Sequence, residues 1–335
     1  GQMLARLPTG WALVAYSPDR LIAATDKIRS SPLFYSVRPC YFISNSARTI
    51  QKKIDVPDIL FESFLEFMMA GYVTGSNTLS RRIKQLQAGE LLMVDHRESK
   101  PIVHRYYRYI PKPDPSRTES EWVEELAETT EDIFRATIDS ADGRQLLIPL
   151  SGGLDSRLIA TMLRHLGYDN VRTFSYGPKA NYEAKIAKKV AQHLGFPWEF
   201  VPVTHAGFRQ YFASPERKNY WEFSDGLCAI PNMQDVYPIQ VMMQRGLPED
   251  AIVVNGQSGD FISGGHIPSV LLGERAHRIL SNELFARHFS LRKSLCKSEN
   301  FLLLTKRIEI LLDDIKAYAG TPLCPAALYE SWEWQ

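Results

Sequence analysis

One short stretch of this chain has the residue types of a phosphate site at the spacing such a site needs. Ser151-Gly152-Gly153-Leu154-Asp155-Ser156 follows the apolar run Leu146-Leu-Ile-Pro-Leu150 and precedes a helical pattern starting near Arg157. Glycines let the backbone approach an anion closely, serine hydroxyls donate hydrogen bonds, and the free N–H groups of a helix N-terminus favour negative charge. A ligand held this way lies beyond the carboxyl end of the strand. The same residues also fit a tight strand-to-helix turn that holds nothing, but the full string in a strand-loop-helix setting favours the cradle. Arg157 is placed either to reach a phosphate or to pair with a nearby acid.

The elements that must position this loop are those of a parallel sheet. Residues 119–140 form a long acidic amphipathic pattern, followed by the buried strand 146–150, a helix over 158–166, a strand over 171–176, a helix over 182–194 and a strand over 198–203. A helical stretch at 238–245 leads into the apolar strand Ala251-Ile-Val-Val254. Strands alternating with helices predict a parallel, doubly wound α/β sheet. Upstream, the short runs 11–16, 21–24, 32–35 and 40–43 are broken by turn signals such as Ser17-Pro18-Asp19 and read as an antiparallel meander. Residues 61–70 have helical spacing ending at Gly71, and 89–94 read as a further strand. The proline density of Pro111-Lys-Pro-Asp-Pro-Ser116 marks a linker, so domains are expected at 1–112 and 113–335. A helical region is expected over 274–319.

Composition excludes several classes. Hydrophobic residues at 44% and charged residues at 23% are ordinary globular values, which argues against a disordered or fibrous chain. A formal net charge of +1 gives no general attraction for nucleic acid or anionic lipid, and neither is an expected partner. No run reaches the roughly 20 apolar residues of a membrane span, and a cytoplasmic location is the expectation. The four cysteines, Cys40, Cys228, Cys296 and Cys324, occur singly, so buried structural thiols are expected rather than a zinc site or disulfide framework, with Cys40 in a strand.

The loop 151–156 resembles the signature of the pyrophosphatase-loop ATP enzymes, and residues 115–266 are similar to the asparagine synthetase family. Thr173-Phe-Ser-Tyr-Gly177 matches the family's element after the first helix, and Glu183 to Gly195 matches its pattern E-x-x-x-A-x-x-V-A-x-x-L-G. Ala229-Ile-Pro-Asn-Met233 resembles a proline-bearing segment of the family. Asn255-Gly-Gln-Ser-Gly-Asp-Phe-Ile-Ser-Gly-Gly265 matches the aspartate and final glycine pair of its second glycine loop. The resemblance implies an adenine nucleotide α-hydrolase-like fold with ATP bound at Leu150, Ser151, Gly152, Gly153, Asp155, Ser156, Tyr176 and Gly177. It also implies Mg²⁺ held by Asp155 and Asp260. A hard cation bound to phosphates typically takes one or two carboxylates, although Asp260 by itself also suits a turn or a helix cap. The implied reaction is AMP-forming: a carboxylate attacks the α-phosphorus, and ammonia or an amine then displaces AMP to give an amide.

The N-terminal region resembles part of the family's class II glutamine amidotransferase domain, through Gly10 to Tyr16, Asp26 with Pro32 to Tyr35, Ala70-Gly71-Tyr72 and Ile83 to Asp95. The cysteine nucleophile of that domain has no counterpart there, so a partial, sheet-rich amidotransferase-like domain is expected, and an uncovered apolar face on it would favour a homodimer. The ATP-binding domain is expected to be truncated at its C-terminal end, because the family's R-x-P-L-x-D-like acceptor segment is not found. Two residues of the second loop are candidate catalytic positions. Gln257 stands where asparagine-forming members carry a glutamate, and a neutral amide cannot take a proton. His266 follows the glycine pair, where it either contacts phosphate or serves as a base, or is simply packed or exposed. The expected function is an ATP-dependent ligase acting on a small-molecule, sugar-acid or peptide carboxylate. A tRNA-adenylating ligase and a catalytically weak ATP-binding scaffold are the alternatives.

Overall fold

Short β-prone runs separated by turn residues build the N-terminal elements. The computed structural model describes residues 2–37, 40–54, 58–95, 97, 101–179 and 181–334. Strands β1 (Ala12–Tyr16), β2 (Arg20–Thr25), β3 (Phe34–Ser36), β4 (Phe42–Ser44), β5 (Lys84–Gln85), β6 (Glu90–Asp95) and β7 (Ile102–Arg105) make two antiparallel sheets, ordered β1-β2-β6-β7 and β4-β3-β5. Period-two alternation sends Leu92 and Val94 of β6 inward, to pack with Ala23, Leu33, Tyr35 and Leu86. The other face of the short sheet packs through Phe34 and Ile83 against Ile50 and Ile54 of α1 (Ala47–Ile54), a helix that the sequence reading did not anticipate. Helix α2 (Phe61–Ala70) stops at Gly71, whose φ of 82° lets the chain turn at a position costly for any residue with a β-carbon. All five residues of the edge strand β1 are exposed.

The alternating part of the chain forms α3 (Glu119–Ala141), β8 (Leu146–Pro149), α4 (Leu154–His165), β9 (Val171–Gly177), α5 (Tyr182–Leu194), β10 (Trp198–Pro202), α6 (His205–Phe212), α7 (Pro215–Ser224), α8 (Val236–Gln244), β11 (Ile252–Val253) and α9 (Gly259–Ser263). Thr118 and Glu121 close a capping box at the start of α3, satisfying N–H groups that a helix end leaves unpaired. The four strands are parallel in the order β10-β9-β8-β11, so the fold is the doubly wound α/β sheet expected. Strand β8 is apolar on both faces. Leu146, Ile148 and Leu150 pack against Ile159, Leu163, Ala187 and Ala191 of α4 and α5, while Leu147 packs with Phe174, Val201 and Met242 on the α8 side. The strand order reverses beside β8, between β9 and β11, and the ends of strands at such a switch point leave a crevice for a ligand.

By their internal packing the residues form two units. One comprises Gly1–Lys112, Asn219–Pro231 and Ile267–Gln335; the other comprises Pro113–Lys218 and Asn232–His266 and contains the parallel sheet. The sequence-based division kept 267–335 with the ATP-binding residues, whereas in the structure this segment packs with the N-terminal residues. Its helices α10 (Ala276–His288), α11 (Ser298–Ala319) and α12 (Pro325–Glu333) share a core with Leu65 and Met69 of α2. The helix expected over 274–319 is interrupted between α10 and α11. There Phe289 is buried and the Leu291 N–H donates to Met69 O at 2.9 Å, so a tertiary bond replaces the helical one. The cysteines also depart from expectation: Cys228 is buried, but Cys40, Cys296 and Cys324 are exposed, and Cys40 precedes β4 rather than lying in a strand. Among the described residues, no helix is long and apolar enough to cross a membrane.

Candidate active site

Strand β8 delivers the serine-glycine loop. The Leu150 N–H continues the ladder to Phe174 O at 2.8 Å, and Ser175 Oγ donates to Leu150 O at 2.7 Å while accepting from Trp198 Nε1 at 3.0 Å. Beyond Leu150 the loop folds on its own hydroxyls. The Ser151 N–H donates to Ser156 Oγ at 3.1 Å, the two serine oxygens lie 3.1 Å apart, and the Gly153 N–H donates to Ser151 Oγ at 3.1 Å. Gly153 begins α4 without a side-chain cap, leaving first-turn N–H groups to a ligand or solvent. The Arg157 guanidinium donates to Gly152 O at 3.1 Å and braces the loop.

A cavity of about 470 Å³ opens at the carboxyl end of β8. Of the residues expected from sequence, Leu150, Ser151, Asp155, Ser156, Tyr176, Gly177 and Gln257 line it. Gly152 and Gly153 belong to the same loop without lining the cavity. A β-carbon at Gly152 would stand 3.3 Å from Glu183, a tight fit. The second glycine loop closes on the first: a β-carbon at Gly256 would lie 2.8 Å from Asp155 Cβ and 2.9 Å from Ser156 N, and one at Gly259 would overlap the Asp155 carboxylate. Asp260 follows directly, in the first turn of α9. His266 does not line the cavity; its Nδ1 lies 3.0 Å from Asp260 O and its ring sits 4.4 Å from that of Phe261.

The structure adds residues that the sequence reading missed. Asp235 lines the cavity and accepts a hydrogen bond from Tyr176 Oη at 2.5 Å and one from Gln257 Nε2 at 3.5 Å. Gln257 Oε1 in turn accepts from Asn232 Nδ2 at 3.3 Å. Burial and the neighbouring Asp235 both push the Tyr176 hydroxyl far above its ordinary pKa, so it stays a proton donor. Asn181 caps α5 by accepting from the Glu183 N–H at 2.9 Å and crowds Gly177, whose φ of 137° suits glycine. The sequence signal for Asp235 was slight, an acid just before a helical run and four residues after Pro231.

A hydroxyl- and glycine-lined loop at the end of a central parallel strand, locked by a second glycine loop, belongs to an ATP-binding enzyme of the pyrophosphatase-loop class. Comparison with sequence families makes this specific: the model of the family described as asparagine synthase matches residues 125–297, and the chain belongs to that family. It is therefore an ATP-dependent, amide-forming ligase in general terms. None of the curated proteins compared with the chain matches it significantly. Among solved structures, the chain is similar to the NH3-dependent NAD synthetase from Campylobacter jejuni subsp. jejuni NCTC 11168 in complex with the nitrate ion. That likeness has 13% sequence identity over 63% of this chain and 93% of that chain, with a TM-score of 0.32, and no functional detail follows from it.

Proposed function

We propose that the chain activates a substrate carboxylate as its adenylate and transfers the acyl group to ammonia or another amine. The observation that carries this reading is the contact of the two glycine loops at Asp155, beside a cavity of about 470 Å³ at the switch point of the sheet. ATP would lie with its phosphates on Ser151 to Ser156 and its adenine against the backbone of Leu150 and Tyr176-Gly177. A carboxylate oxygen attacks the α-phosphorus, and pyrophosphate leaves with the electron pair of the bond that breaks. The amine then displaces AMP, and the product is an amide.

The donor set near Asp155 fits Mg²⁺ shared with ATP phosphates. Such a cation keeps an oxygen shell and needs only one or two carboxylates from the protein. Asp155 and Asp260 would hold the ion, which when bound neutralises charge on the leaving pyrophosphate.

In this reading, the parallel-sheet unit within residues 113–335 carries the ligase reaction, and 1–112 are a partial glutamine amidotransferase-like domain. Gln257 is assigned to the amine-transfer step, and His266 to phosphate contact or proton transfer from the second loop. The nitrogen is taken up as ammonia or an amine, in the cytoplasm where ATP is abundant. The exposed apolar residues Leu13 and Val14 of β1 favour a homodimer, and sedimentation showing a clean monomer would remove that part.

Gln257 also motivates a second reading, a catalytically weak ATP-binding scaffold, because an amide cannot accept the amine's proton. Incubation with Mg-ATP, ammonium and a panel of carboxylates separates the two. AMP and pyrophosphate that require a carboxylate, and that Asp155→Ala abolishes, support the ligase. ADP as product overturns it, and ATP binding without turnover favours the scaffold.

A further inference from the structure

Transfer of an amine to an acyl-adenylate needs a proton acceptor at the nitrogen, and Gln257 cannot be one. Three carboxylates line the cavity, those of Asp155, Glu183 and Asp235. Asp155 lies under the second glycine loop, and Glu183 lies against Gly152 of the phosphate loop, so both adjoin the ground assigned to the phosphates. Asp235 is hydrogen-bonded to neither loop backbone. It precedes α8 but makes no side-chain cap bond to that helix, so its carboxylate is not engaged at the helix end. Instead, one oxygen receives the Tyr176 hydroxyl and the other receives the Gln257 amide. An ionised carboxylate has about four lone-pair sites on its two oxygens, so each oxygen keeps room for a further proton or donor.

We propose that Asp235 is the catalytic proton acceptor of the amine-transfer step, with Tyr176 and Gln257 as the residues that position it. The proposal rests on the adenylating reading given above and adds the base that reading lacks. The amine lone pair forms the C–N bond at the acyl carbon of the adenylate. An N–H proton passes to a free lone pair of Asp235. The C–O bond to AMP breaks, and AMP leaves with the electron pair of that bond. Protonated Asp235 then returns its proton to water. Gln257 has exchanged the role of acceptor for that of donor: its Nε2 faces the carboxylate, and Asn232, donating to its Oε1, fixes that orientation.

The test separates the two half-reactions in the full chain. Exchange of labelled pyrophosphate into ATP, with aspartate, glutamate, succinate or glucuronate present, reads adenylation. Amide formation from ammonium chloride or methylamine reads amine transfer. In Asp235→Asn, the ratio of amide formation to exchange falls by about 100-fold or more, the range typical of a lost general base. In Tyr176→Phe the same ratio falls by about 10-fold, through kcat rather than the KM for ATP. Adding Gln257→Glu to Asp235→Asn returns a carboxylate beside the vacated acceptor and restores amide formation by about 10-fold, whereas Gln257→Glu alone gains nothing, a pattern that a purely structural role of Asp235 would not give. An unchanged ratio in Asp235→Asn, or a rescue that does not occur, overturns the proposal while carboxylate-dependent exchange leaves the adenylating reading standing. No exchange with any of the four carboxylates in the unaltered chain removes that reading and the proposal with it.

Discussion

Gly259 abuts the carboxylate of Asp155 so closely that a β-carbon there would overlap it, and Gly256 crowds the same residue at its Cβ. The second glycine loop is therefore a template for the first. At Gly256 a methyl group would stand 2.8 Å from Asp155 Cβ and 2.9 Å from the backbone nitrogen of Ser156, atoms that cannot yield without moving the phosphate loop. Gly256→Ala and Gly259→Ala are each expected to weaken ATP binding by about 10-fold or more, roughly 1.4 kcal/mol. Gly273→Ala, whose added carbon would meet only ordinary contacts, is the control. Calorimetric titration with ATP checks this, and unchanged affinity in both loop variants would show the contact to be dispensable.

Much of this architecture was legible in the sequence, because Leu146 to Leu150 is apolar at every position but one and is followed at once by Ser151-Gly152-Gly153. That pairing of a doubly buried strand with a cradle needs no tertiary information. The helix break after His288 was not legible, since Phe289 to Lys297 contains no proline or glycine and the break follows from burial of Phe289 and the bond from Leu291 to Met69. The exposure of Cys40, Cys296 and Cys324 was equally hidden, because a lone thiol reports nothing about its neighbours. Within the site, the loop residues could be read from their order, but Asp235 could not. Its role depends on Tyr176, 59 positions away, and on Gln257, 22 positions away, and no local spacing encodes such a meeting.

The carboxylates of the two loops should be distinguishable by metal dependence. If Asp155 and Asp260 share a cation with the phosphates, chelation by EDTA weakens ATP binding to the unaltered chain. Asp155→Asn and Asp260→Asn should then each bind ATP with and without Mg²⁺ about equally, having lost a ligand that a hard cation requires. Fluorescent ATP-analogue titrations over a Mg²⁺ series give the comparison. A Mg²⁺ response retained in Asp260→Asn would assign the ion to Asp155 and the phosphates alone.

Asp26 ties the start of the chain to the β2 corner. Its fully buried carboxylate accepts from the N–H groups of Gly10 at 2.6 Å, Trp11 at 3.0 Å and Ser30 at 2.9 Å, and from the Ser30 hydroxyl. Burial raises its pKa, but the hydrogen bonds from Ser30, Trp11 and Gly10 together outweigh it, and the net shift is below the ordinary 3.8. A carboxyl depressed on folding stabilises the folded state above its unfolded pKa, and that contribution is lost as pH falls from about 3.8 through the folded value. Thermal unfolding between pH 5 and pH 2.5 should therefore show a steeper loss in the unaltered chain than in Asp26→Asn. At pH 7 the variant should lose about 1–3 kcal/mol, because an amide cannot accept all of these bonds. Parallel pH profiles would exclude Asp26 as a source of the acid sensitivity.

Glu66 is buried in α2 with Arg307 of α11 at 3.1 Å and the Thr74 hydroxyl as its partners. Burial pushes its pKa up, while Arg307 and Thr74 pull it back, leaving a net rise. Removing the guanidinium leaves burial opposed by Thr74 alone, so the carboxyl should be held protonated to still higher pH. A carboxyl raised on folding has its full stabilising contribution below the unfolded pKa and loses it as pH rises through the folded value. Arg307→Leu is therefore expected to cost about 3–5 kcal/mol at pH 8, the scale for a buried charge left without its partner, and less at pH 5. Glu66→Gln in the same chain should recover much of the loss at pH 8 and little at pH 5, because the neutral amide has no charge to bury. Urea unfolding of the single and double variants at both pH values measures this. If Arg307→Leu is equally destabilising at pH 5 and pH 8, the arginine acts through packing and its bond to Thr74 O rather than through the charge of Glu66.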